Sequence, residues 1–121
     1  ATDLSVHDVR DLADDLGAAR DRFEPVGLDL RDPGTIENAV RAALAGGPID
    51  VLVNNAGYAM FAAQAEGDVD AVAAQFDANV IGTARVTRAL LPSLRQQAGT
   101  IVQISGTGPS SLIPVGEAKK Q

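Results

Sequence analysis

The 121-residue sequence contains no cysteine. That excludes disulfides, a thiolate nucleophile and any cysteine-based metal site. It is compatible with a reducing compartment, and a cytoplasmic location is the expectation. Aromatic residues are scarce, at 3%, so Leu, Val, Ile and Ala must build the core from the 45% of residues that are apolar. Basic residues are outnumbered 10 to 16, which leaves a net charge of −6. Such a balance argues against a nucleic-acid backbone or an anionic membrane as the main partner. No apolar run approaches the roughly 18 residues needed to span a bilayer, because Arg, Asp or Gly interrupts each one. The N-terminal stretch ATDLSVHDVRDLADD has neither a basic start nor an apolar centre, so no signal peptide is expected there. The single histidine, His7, lies on the polar side of a predicted helix. No metal site can be assembled around it. What is left is enough chain for one domain and one core.

Along that chain, Ser5 can cap a first helix, with Asp8 three residues on. Val9, Leu12 and Leu16 recur at helical spacing, Gly17 supplies a stop, and Asp11, Asp14 and Asp15 form a solvated face. Val26, Leu28 and Leu30 alternate as in a short strand, with Asp29 pointing the other way. Asp32-Pro33 reads as a cap followed by a proline at the first helical position. Behind it Ile36, Val40 and Leu44 fall on one face, while Glu37 and Arg41 pair at i,i+4 outside. Gly46-Gly47-Pro48 ends that helix. Ile49 to Asn54 is apolar enough for a strand buried on both faces. From about Val69 to Gln96 the pattern is helical, with Val72, Phe76, Val80 and Leu90 inward and Pro92 kinking the end. Thr100 to Ser105 is the last strand. Three helices alternating with three strands signal an α/β layer structure on a parallel sheet.

Three strand ends, Asp29, Asn54–Gly57 and Ser105, then share the carboxyl edge, where open α/β sheets bind ligands. The run VLVNNAG ends an apolar strand in two carboxamides and a glycine. It reads either as a turn, because Asn and Gly tolerate left-handed backbone, or as a binding edge. Asp32 already caps a helix, which leaves Asp29 without a structural task. Asn79 falls between Phe76 and Val80 on the expected apolar side, where an unpaired amide is costly. A bonded role for it is therefore expected over a solvated one.

Together GLDLRD, NNAG, NVIG and GTIVQIS, spread over residues 20 to 105, resemble the short-chain dehydrogenase/reductase family. The resemblance implies a Rossmann-like three-layer sandwich with a parallel sheet, of which three strands and three helices are present. Residues 1–121 then make one partial NAD(P)-binding domain. It also implies NAD or NADP as cofactor and hydride transfer between a small alcohol and a carbonyl compound. On this basis Asp29 approaches the adenine with Leu30 alongside. The NNAG motif steadies the central sheet, and Asn55, Ala56 and Gly57 line the cofactor's ribose. Asn79 joins a proton relay. A homo-oligomer through the helix of residues 69–96 is a further expectation.

The sequence departs from that family at both ends. Its Gly-rich turn, TGxxxGxG, has no match in residues 1 to 20, so the chain is expected to begin after the second strand. The choice between NAD and NADP is then not legible. The family's general acid/base is a Tyr with a Lys four residues later, but the only tyrosine is Tyr58, directly after NNAG. By count, the Tyr position falls near Lys119, and Lys119 and Lys120 read as tail charges. The family's catalytic Ser follows the residue matching Ser105, where this chain has Gly106. Ser105 substitutes only if the strand ends early, because a one-residue shift turns a strand side chain to the opposite face. The first expectation is thus an oxidoreductase, incomplete and inactive as this chain alone. The alternative is an inert fragment or a partner-binding remnant. With strands missing between them, Val26–Leu30 is expected to pair directly with Val51–Asn54, with Thr100–Ser105 on the far side.

Overall fold

Asp32 and Pro33 start a helix for reasons local to them. In the computed structural model, which describes residues 2–3, 14–58 and 68–105, the Asp32 carboxylate accepts from Gly34 N at 2.8 Å. Helix α1 follows as Pro33–Ala45. Proline at its first position sacrifices no bond, since that N–H has no partner within a helix. Glu37 and Arg41 pair at 3.1 Å on the outer face. Inside, Ile36 and Ala39 are buried and Val40 packs at the core margin. Leu44 is exposed, which corrects its expected inward place. Of the predicted first helix residues 14–16 are described, 14–15 as helical and Leu16 as a turn, and Gly17 follows with a left-handed φ of 52°. Ser5, Val9, Leu12 and His7 lie outside the described residues.

The helical run from Val69 to Gln96 is present, started by Asp68, whose carboxylate accepts from Asp70 N at 2.9 Å. It has three parts: α2, Val69–Phe76, a π-helical segment, Asp77–Gly82, and α3, Thr83–Gln96. The helix passes through Pro92. Ala78, Gly82, Val86, Leu90 and Leu94 face inward, every fourth residue. Leu90 was expected there, but Val72, Phe76 and Val80 were too, and all three are exposed, Phe76 by 60%. Two positions along a helix are about 200° around it, so the large apolar side chains face away and the small ones face in. The cause is close packing. A Cβ on Gly82 would collide with the carbonyl oxygen and Cβ of Leu30, and only glycine lets the two backbones approach so far.

Strands β1, Thr2–Asp3, and β2, Val26–Gly27, pair in parallel. Strands β3, Val51–Asn54, and β4, Thr100–Gln103, form a second parallel pair with Val51 opposite Thr100. Bonds from Thr100 N to Asp50 O at 2.8 Å and from Ile104 N to Asn54 O at 3.0 Å extend that ladder at both ends. The α/β class stands. Two expectations do not. No strand was expected ahead of Val26, yet Thr2–Asp3 forms one. Val26–Gly27 pairs with it and not with β3. The reason is length: β2 holds two residues rather than five, so its far edge leaves few unpaired backbone groups to satisfy.

One core nevertheless joins the two strand pairs. Ile36, Val86, Leu90 and Leu94 are buried together, and Leu28 and Leu30, which follow β2, and Ile49 and Leu52, before and within β3, all pack against them. Burial of β3 on both faces is also corrected, because Val51 and Val53 are 56% and 55% exposed. Among the described residues, only the face bearing Leu52 and Asn54 is packed against helix.

Candidate functional site at the carboxyl strand ends

After Gly27 the chain leaves its strand and turns into α1 through Leu28 to Asp32, and one side chain organises that turn. Thr35 Oγ1 accepts from Asp29 N at 3.0 Å. It also lies 2.8 Å from Asp29 O and 3.0 Å from Asp32 O, so its single hydrogen serves both carbonyls. Arg31 then holds the Asp29 carboxylate. Its Nε donates to Oδ1 at 3.1 Å, its Nη2 to Oδ2 at 2.9 Å and its main-chain N to Oδ1 at 2.9 Å. This is the bidentate fork that guanidinium and carboxylate geometry favours. The Arg31 side-chain bonds, followed by its main-chain bond, hold the Asp29 carboxyl below the usual carboxylate range. Asp29 in turn raises the Arg31 pKa, with smaller contributions from Tyr58 and Asp77. Asp29 thus has a structural task after all, which corrects the reading that left it without one. Leu30 packs at the core margin against Gly82.

At the end of β3 the two asparagines divide the work. Asn54 Nδ2 donates to Thr87 Oγ1 at 3.0 Å, and Thr87 Oγ1 donates to Thr83 O at 2.9 Å, so the strand is tied to α3. Asn55, Ala56 and Gly57 are exposed beyond that tie. Asn79, in the π-helical segment, grips the main chain next to them. Its Oδ1 accepts from Tyr58 N at 3.0 Å, and its Nδ2 donates to Tyr58 O at 2.6 Å. A Cβ on Gly57 would stand 3.1 Å from Asn79 Oδ1, so glycine keeps room for the clamp. The expected bonded role of Asn79 is present, through a loop partner rather than a buried apolar face.

Strand β4 ends at Gln103, and Ser105 is exposed just after Ile104, whose N–H bonds Asn54 O. The ladder runs on through Ile104, so Ser105 is the first residue past it. Gly106, Lys119 and Lys120 lie outside the described residues. Asn55, Ala56, Gly57 and Ser105 therefore follow two hydrogen-bonded strand ends, with Asn79 clamped beside the first. Leu30, next to Asp29, lies against Gly82, which ends the same π-helical segment that carries Asn79. Among the described residues no cluster of His, Cys, Asp and Glu could hold a metal ion. Sequence reasoning missed Arg31, Thr35 and Thr87, and it singled out Gly82 only as the end of NVIG, without its contact to Leu30. Of the three missed, Arg31 alone gave a signal, a cation two residues from a carboxylate. Thr35 and Thr87 are ordinary helical positions until the fold brings their partners.

A family model described as short chain dehydrogenase matches residues 1–115. The oxidoreductase BOA17 of Botryotinia fuckeliana is 45% identical over 91 residues, covering 74% of this chain and 33% of that protein. A short-chain dehydrogenase from Streptomyces avermitilis has a similar solved structure, with a TM-score of 0.76 and 38% identity. That match covers 86% of this chain and 38% of the other. A metagenomic short-chain oxidoreductase in complex with NADP superimposes with a TM-score of 0.81 at 26% identity, covering 93% of this chain and 52% of that one. The chain spans about a third of the length of the curated relatives it matches.

Proposed function

The chain belongs to the short-chain dehydrogenase family, and on that premise we propose that its protein is an NAD(P)-dependent oxidoreductase. It interconverts a small alcohol and a carbonyl compound by hydride transfer. The observation that carries this reading is the two-bond grip of Asn79 on the Tyr58 main chain. A carboxamide in the middle of a helix spends one donor and one acceptor position on holding a loop. The loop so held carries exposed Asn55, Ala56 and Gly57 at a strand end, where open α/β sheets take their ligands.

In this reading Asp29 meets the adenine, with Leu30 alongside, and Asn55, Ala56 and Gly57 line the ribose. The residues fit such a ligand: a half-exposed carboxylate can accept from an amino group, and backbone beside glycine can approach a sugar closely. The nicotinamide supplies or takes the hydride when bound. The NADP held by the metagenomic relative supports a dinucleotide here, with NAD and NADP both retained. Asn79 also serves a proton relay. The Tyr58 bonds use one of its amide donors and one acceptor position, so the group has capacity for one more partner on each side. Ser105 polarises the substrate oxygen. A homo-oligomer through residues 69–96 is supported by the exposed stripe of Val72, Phe76 and Val80, an apolar row that water solvates poorly. Among the described residues no helix is long and apolar enough to cross a membrane. The absence of cysteine is compatible with the reducing cytoplasm, which is the location this reading adopts.

The test is equilibrium binding beside steady-state kinetics on the full-length protein. NAD or NADP should bind, and a carbonyl compound should be required for reduced cofactor to be consumed. Asp29→Ala should weaken cofactor binding with little change in kcat. Asn79→Ala should lower kcat by about 10²-fold, the smaller end of general acid/base contributions. A protein that binds neither dinucleotide at millimolar concentration would overturn the reading.

A further inference from the structure

We propose that Arg31 is a positioning residue that presents one oxygen of Asp29 to a purine amino group. The proposal rests on the reading of Asp29 as the adenine contact and adds the residue that makes it selective. A carboxylate offers about four acceptor positions. Among the described residues Arg31 fills three of them, two on Oδ1 and one on Oδ2. The position left is on Oδ2, and its direction is set by the plane of the fork. Thr35 fixes the main chain of the same residue from both sides, at Asp29 N and Asp29 O.

Without the fork, an aspartate side chain rotates broadly about its terminal torsion, and ordering it would be charged against ligand affinity. With the fork, the ordering is complete before the ligand arrives. Arg31 also makes the pair electrically neutral, in a chain with a net charge of −6. The fork is surface-accessible, with the Arg31 side chain 47% and that of Asp29 28% exposed. Its removal is a local change.

The experiment compares AMP with nicotinamide mononucleotide by titration calorimetry on the full-length protein. Both probes carry a ribose and one phosphate, and only AMP carries the purine amino group. Arg31→Ala should weaken AMP about fivefold to tenfold, the loss of one well-aligned hydrogen bond, and leave the mononucleotide unchanged. Arg31→Lys, which keeps the charge and loses the fork, should lose as much. The double variant Asp29→Ala/Arg31→Ala should bind AMP no more weakly than Asp29→Ala alone, because Arg31 acts through Asp29. Equal losses for both probes, tighter AMP binding by Arg31→Ala, full retention by Arg31→Lys, or additive losses in the double variant would each overturn the positioning role. If Asp29→Ala itself leaves AMP binding unchanged, the adenine reading of Asp29 fails, and the proposal falls with it.

Discussion

The Asp29–Arg31 pair shows how one residue can be read nearly right for place and wrongly for surroundings. GLDLRD marked Asp29 as close to a strand end, but the alternation of Val26, Leu28 and Leu30 put it inside a five-residue strand, whereas only Val26–Gly27 is extended and Asp29 lies in the turn that follows. That the carboxylate is already held by Arg31 was not visible, since a sequence does not say which rotamer an exposed arginine adopts. The grip has a pH signature. Arg31 lowers the Asp29 pKa below the ordinary value in the folded protein, which for an unperturbed aspartate is about 3.9. A depressed carboxylate contributes stability that is fully present above the unfolded pKa and lost as pH falls through the folded one. Arg31→Ala should therefore be less stable than the parent at pH 7, and the two should converge as the solution is acidified below the folded Asp29 pKa. Urea unfolding at a series of pH values measures it. A stability gap that persists undiminished in acid would show that Arg31 acts through packing and not through charge. Asn79 is the complementary case. It is bonded as expected, but not for the expected reason: Phe76 and Val80 beside it are exposed, and its partner, the Tyr58 main chain 21 residues away, emerged only with the fold.

Helix boundaries were the most legible features of the elements, because caps are local chemistry. Asp32-Pro33 and the Glu37–Arg41 pair behave as their spacing says. The inward face of the long helix was not legible, and the reason is physical. Periodicity finds large apolar residues, whereas the packed row here begins with Ala78 and Gly82, chosen for their small size. The π-helical winding of Asp77–Gly82 also changes the angular step just where the pattern was being extrapolated, as such segments do near functional sites. Gly82 links this element to the site, because it lets the helix sit against the Leu30 carbonyl, one residue from Asp29. Gly82→Ala should therefore cost about 1–3 kcal/mol, as overpacking typically does. It should also push the Asp29 turn outward, detectable as amide chemical-shift changes at Asp29 to Arg31. A variant with unaltered stability and unshifted Asp29 amide would mean that the close approach is relieved without touching the turn.

For the molecule as a whole, the alternation of elements announced parallel α/β architecture, and the strands are parallel in both pairs. Strand partnership was the part that sequence could not supply. The expectation of β2 beside β3 assumed a five-residue strand with long bare edges, but only Val26–Gly27 is extended, and Thr2–Asp3 takes one side of it. Among the described residues no ladder connects the two pairs. Their mechanical link must then be side-chain packing, and the residues that provide it can be named. Ile36 on α1 is 4% exposed and joins Val86, Leu90 and Leu94 on α3, while Leu28 and Leu30 reach this cluster from the β2 side and Ile49 and Leu52 from the β3 side. If this core is the only strong connection, weakening it should loosen both pairs at once, although neither contains the mutated residue. Ile36→Ala should cost about 2–5 kcal/mol, the range for deleting a buried aliphatic side chain. Hydrogen exchange should then speed up together at the amides of Val26–Gly27 and of Thr100–Gln103. The comparison is informative because hydrogen exchange reports cooperative units separately. Faster exchange confined to Val26–Gly27, with Thr100–Gln103 as protected as before, would mean that the β3–β4 pair and α3 form a unit stable without α1.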